Sequence, residues 1–216
     1  MFIMISSVKL PKTIPVFPLS NFIIFPQTSV PLNIFEPRYI DMINDSMKSN
    51  RIIGMIQPKE SSQKNPELYK IGCAGKITSF NETEDGRYII VIRGLSRFKI
   101  KEEINSKNSY RTCDVDFDLF KEDLKENKTQ INFSDLKLIF KNIKTLFNKE
   151  GYTVDWKKLE KQNLNETINT LSMASPFNVQ EKQILLETLS LDDRKKKLED
   201  IINTYLVDSF NNKTLQ

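Results

Sequence analysis

The hydrophobic periodicity of this 216-residue chain changes once, at about Leu119, and that change sets what it can fold into. Before it, short β-branched and aromatic runs are separated by Pro, Asn, Asp and Gly, as strands joined by turns would be. After it, apolar residues recur every 3.6 positions, as on helices with one buried face. The expectation is an α+β protein, with a β-rich part over 12–118 and an α-helical part over 119–216. A 39% hydrophobic and 10% aromatic content is enough to bury a core across either part.

Within the first part, strands are expected near Val30 to Phe35, Ile52 to Gln57, Tyr69 to Phe80, Arg87 to Arg93, Ser96 to Ile104 and Tyr110 to Phe117. Asp85-Gly86 falls between two of them, where glycine permits the positive φ of a tight hairpin turn. One helix is expected to interrupt the strands: Pro37 suits a first helical turn, and Ile40, Ile43 and Met47 follow at helical spacing. Glu60 to Pro66 is polar, ends in proline and reads as an exposed loop.

In the second part, Leu136, Ile139, Phe140, Ile143 and Phe147 form one stripe behind Ser134 as N-cap. Ser175-Pro176 should break a helix. Asn178 and Glu181 have the spacing of a capping box for a helix carrying Ile184, Leu185 and Leu189. Leu198, Ile201, Ile202, Tyr205 and Leu206 mark a final helix, preceded by the cations Arg194 to Lys197, which read as a solvated face.

The chemistry available to the chain is narrow. It has no histidine, which removes Ser-His-Asp and Cys-His catalysis and His-ligated zinc. The pair Gly75-Lys76 is followed by Ile77 and has Lys70 where a phosphate-binding loop needs its first glycine. Six glycines offer no Gly-x-Gly-x-x-Gly fingerprint. No context supplies an oxyanion hole for a Ser-Lys dyad. A non-enzymatic binding protein is expected, with no cofactor and no metal.

Cys73 and Cys113 lie in strand-like segments, outside any metal-spaced cluster, and read as buried reduced thiols. The formal net charge is only +4, without a basic arm, and 25 lysines against 7 arginines disfavour nucleic acid as a partner. The apolar runs are too short to span a membrane, and the opening Met-Phe-Ile-Met-Ile does not read as a signal peptide, so a cytoplasmic location is expected.

Several motifs, taken in order, carry a family resemblance. Ile14-Pro-Val-Phe-Pro-Leu19, Phe25-Pro26 and Pro31-Leu-Asn-Ile-Phe-Glu-Pro-Arg-Tyr39 resemble the opening of the Lon protease N-terminal substrate-binding domain family, in particular its freestanding bacterial members. Leu68 to Gly72, Asp85-Gly86-Arg87, Arg93-Gly94-Leu-Ser-Arg97-Phe98, and the later Pro176-Phe177, Glu181 to Glu187 and Asp193-Arg194 extend it over nearly the whole chain. The resemblance implies a twisted β-domain of PUA-like type, about six strands plus one helix, followed by an α-helical bundle. It implies recognition of unfolded or partly folded polypeptide without the ATPase or protease modules.

For peptide contact the first candidates are Pro18, Leu19, Phe25, Pro26, Pro31, Phe35 and Tyr39, because apolar surface and strand edges select unfolded segments without demanding a sequence. The competing reading makes the prolines turn-stiffeners and the aromatics core. Glu36, Arg38, Gly72, Asp85, Gly86, Gly94, Arg97 and Phe98 are family-signature positions with expected structural roles; Glu36 and Arg38 are expected to pair with each other, or with Arg93 and Arg97. An adaptor docking on a protease or chaperone machine, and an RNA-binding PUA-like module, are the alternative readings.

Overall fold

The computed structural model describes residues 10–60, 65–125, 136–159 and 161–211. The opening segment before Leu10, the middle of the expected 60–66 loop and the expected cap Ser134 lie outside them. The chain is α+β: a six-stranded mixed sheet plus helices. Strands β1 (Thr13–Pro18) and β2 (Ser29–Ile34) precede helix α1 (Pro37–Met47), and β3 (Ile52–Ile56), β4 (Ile71–Glu82), β5 (Tyr88–Ile104) and β6 (Arg111–Asp116) follow. A 3-10 turn at Asp118–Leu124 leads to helices α2 (Lys137–Lys149), α3 (Trp156–Leu159), α4 (Leu164–Ala174), α5 (Val179–Glu187) and α6 (Leu191–Asn211).

Two strand assignments differ from the sequence reading. Thr13–Pro18 is a strand that was not among those expected, and its Pro15 and Pro18 cannot donate to a ladder. It pairs in parallel with β3 and antiparallel with β6. The two strands expected over 87–104 are one strand of 17 residues. Its first half lies between β2 and β4, and its second half between β4 and β6. The pairing therefore closes β1, β3, β4, β5 and β6 into a ring and leaves β2 as an outer edge, where Pro31 is tolerated.

Alternation then divides the apolar residues. Ile14, Val16, Ile52, Ile56, Ala74, Phe98, Ile100, Cys113 and Val115 point into the ring and form one cluster. Phe17, Ile53, Met55, Cys73 and Ile92 point outward and join a larger cluster with α1 and the later helices. Phe98 fills the ring against Gly72, where a Cβ would come within 2.6 Å of the ring edge of Phe98 and of the Met55 carbonyl oxygen.

Several local expectations hold. The turn after β4 has Gly86 at φ +77°, with its N–H donating to the Thr83 carbonyl at 2.9 Å. Asn178 and Glu181 form the reciprocal capping box of α5, and Ser175 ends α4. On α5, however, Leu185 is buried while Ile184 is exposed, and Leu189 is exposed beyond the helix end.

Candidate functional site

The segment between β1 and β2 is held by its own backbone. Thr28 Oγ1 accepts from the Phe25 N–H at 3.2 Å and donates to the Phe25 carbonyl at 2.6 Å. The Gln27 N–H donates to the Gly94 carbonyl, and the Gly94 N–H to the Thr28 carbonyl, each at 2.9 Å. A Cβ at residue 94 would stand 2.0 Å from the Phe25 carbonyl oxygen, so only glycine permits this approach. With Phe25 turned into the core, Phe22 and Val30 stay half-buried and face the helical side.

Between that segment and the helices lies an open cleft of about 640 Å³. Phe22, Ile23 and Val30 form one wall. Phe147 of α2, Val154, Leu159 of α3, and Leu171 and Met173 of α4 form the other. Gln27, Asp155, Gln162, Glu166 and Thr170 supply polar groups around it. A mostly apolar concavity with a few polar groups can accept an apolar side chain together with its backbone.

The sequence-predicted contact residues do not gather there. Phe25 is fully buried, with the Arg194 guanidinium 4.4 Å over its ring. Pro26 is buried, and Tyr39 is buried against Phe17 at 4.2 Å between ring centroids. Phe25 and Tyr39 are thus core side chains, while Pro26 borders a second cavity. Pro18 and Leu19 are half-buried, the Leu19 N–H donating to the Ile56 carbonyl. Pro31 and Phe35 are exposed, Phe35 at 63%. The cleft residues Phe22, Val30 and Met173 were not singled out in the sequence, since each looks like ordinary core at its own periodicity.

Several signature positions make hydrogen bonds within the fold. Arg38 donates to Glu36 through Nε at 3.0 Å and Nη2 at 2.8 Å. Arg87 Nε donates to Asp85 at 2.7 Å across the hairpin turn, holding the Asp85 carboxyl well below its usual range. Arg97 does not reach Glu36. It pairs with Asp123, both nearly buried, and Arg97 Nη1 also donates to the carbonyls of Leu186 and Thr188 at the C-terminal end of α5.

Arg194, read as part of a solvated cationic face, is only 3% exposed. It donates to the carbonyls of Leu185 and Thr188 and to Asn169 Oδ1. Cations at the C-terminal end of α5 meet the negative pole of the helix. Lys182 is also buried, its Nζ on the Asn21 carbonyl, and burial lowers its pKa.

Among the described residues no group of three or more Cys, Asp and Glu side chains could hold a metal ion, and no helix is long and apolar enough to cross a membrane.

The sequence profile of the ATP-dependent protease La (LON) substrate-binding domain matches residues 13–204. The Lon protease of Flavobacterium johnsoniae is 27% identical over 198 residues, covering 86% of this chain and 23% of that protein. The Lon protease of Buchnera aphidicola is 28% identical over 205 residues, covering 88% and 25%. The chain thus spans about a quarter of the length of these curated relatives. Among solved structures, the Lon N-terminal domain protein from Xanthomonas campestris superposes with a TM-score of 0.61 at 18% identity, over 88% of this chain and 97% of that one. The N-terminal domain of Mycobacterium avium complex Lon protease gives 0.62 at 17%, over 89% and 98%. At these identities the structural likeness is one of fold.

Proposed function

The chain belongs to the Lon substrate-binding domain family, and from that membership we propose that it is a non-catalytic, cytoplasmic module that binds unfolded or partly folded polypeptide through the cleft between the Phe22–Val30 segment and helices α2 to α4. The observation that carries the reading is the cleft itself: an open concavity of about 640 Å³ walled by Phe22, Val30, Val154 and Met173. An unfolded chain presents the apolar side chains that such a surface takes from water, and a folded one does not. Exposed Pro31 and Phe35 would extend contact along the β2 edge. The same reading divides the molecule into a PUA-like β-part over 12–118 and a helical bundle over 119–216.

Fluorescence anisotropy of a labelled, permanently unfolded polypeptide, its folded parent and a single-stranded RNA, each at low and moderate salt, tests the proposal. Preferential and salt-tolerant binding of the unfolded chain is expected, because apolar burial is little screened. RNA binding alone, collapsing with salt, would replace it with a nucleic-acid function.

A further inference from the structure

A second cavity, of about 370 Å³, opens on the other side of α4 and is distinct in chemistry from the apolar cleft. Its charged lining groups are Arg97, Lys125 and Arg194 against Glu122 and Asp123. Three cations face two carboxylates, leaving one unit of positive charge. The pairings show where the excess sits. Arg97 is held bidentately by Asp123, and Lys125 by Glu122. Arg194, 97% removed from solvent, has no carboxylate partner among the described residues and donates only to two carbonyls and the Asn169 amide oxygen.

A guanidinium carries five N–H donors, so these three bonds leave donors unspent. The α5 terminus compensates only about half a charge and shares it between Arg97 and Arg194. A buried cation without a counter-ion is costly, and the cost appears in the Arg194 pKa, lowered to about 9 by burial and by Arg97. Asn165, Asn169 and the Ser190 hydroxyl supply the remaining polar lining.

We propose that this cavity is a carboxylate-binding site in which Arg194 grips the ligand's carboxylate group. A single negative charge matches the single excess positive charge, and the planar fork of a guanidinium fits a carboxylate. The carboxylate is either that of a small free acid or that of a polypeptide C-terminus. The proposal does not depend on the polypeptide reading of the apolar cleft.

Thermal unfolding and calorimetric titration at fixed ionic strength test it, with N-acetylglycine against N-acetylglycinamide and with inorganic phosphate alongside. The carboxylate is expected to raise Tm saturably and to bind at least about tenfold more tightly than the neutral amide, shifting the Arg194 Nε–H resonance. Asn169→Asp supplies a carboxylate from within while keeping the side-chain shape. It should raise Tm without ligand and abolish the response to N-acetylglycine.

A short peptide with a free C-terminus, compared with its C-terminal amide, distinguishes the sources. Much tighter binding of the free-acid peptide than of N-acetylglycine identifies a chain terminus, and equal binding identifies a small acid. No preference for carboxylate over amide, an unchanged response in Asn169→Asp, or phosphate binding as tight as carboxylate would overturn the assignment. None of these results bears on capture of unfolded polypeptide by the cleft.

Discussion

Arg97 and Asp123 form a bidentate ion pair, Nε to Oδ2 at 2.9 Å and Nη2 to Oδ1 at 2.8 Å, with side chains 3% and 9% exposed. The pair fastens the second half of β5 to the 3-10 turn, and the other Arg97 donors reach carbonyls at and just beyond the C-terminal end of α5. One arginine thus ties sheet, connecting turn and helices together.

Removing Asp123 would leave Arg97 a buried cation without its carboxylate. Asp123→Ala is expected to cost roughly 3–5 kcal/mol in urea unfolding. A loss under about 1 kcal/mol would show that the pair is solvated, as a surface pair is.

Gly94 permits the close approach of β5 to the Phe25–Thr28 turn. In Gly94→Ala the new Cβ meets backbone, which cannot rotate away. The expected cost is at least about 2–3 kcal/mol, read as a lowered urea midpoint. Unchanged stability would mean that the turn moves freely.

Phe25 and Phe35 looked alike in the sequence and differ in the structure. Phe25→Ser should cost about 3–5 kcal/mol, as truncation of a buried aromatic does. Phe35→Ser should change stability by no more than about 0.5 kcal/mol, as at most exposed positions. Circular dichroism melting separates the two, and equal losses would contradict the burial difference.

That contrast shows what the sequence could and could not convey. The period change, the hairpin at Asp85-Gly86 and the capping box at Asn178 depend on residues a few positions apart, so local chemistry made them legible. Strand β1 was not expected, and its pairing with β3 and β6 is a long-range fact. The inward placement of Phe25 goes with the close backbone approach at Gly94, which is far away in the chain. Arg194 looked like one of four solvated cations because its partners Leu185, Thr188 and Asn169 meet it only when α4, α5 and α6 pack. The cleft was missed for the same reason: Phe22, Val30 and Met173 have ordinary core periodicity and become a surface only through packing.

The two thiols give a pH dependence of defined sign. Burial pushes Cys113 up to about 11 and Cys73 higher still, while an unfolded thiol titrates near 8.5. A raised folded-state pKa gives stability that is fully present below the unfolded value and is lost as pH rises through the folded value. Each thiol should therefore lower stability by about 1.4 kcal/mol per pH unit between roughly pH 9 and 11. Urea unfolding across that window checks the slope, which Cys113→Ala should reduce. Neither thiol should react with a disulfide reagent at pH 8 before unfolding; rapid labelling would contradict their burial.

The most direct test of the polypeptide-binding account follows methyl resonances while an unfolded polypeptide is titrated in. Val30, Val154, Leu159, Leu171 and Met173 should shift together and saturably, and Met173→Lys should abolish both the shifts and the binding by placing a charged side chain in the cleft. Binding that leaves these methyls unmoved would contradict the assignment of the cleft as the site.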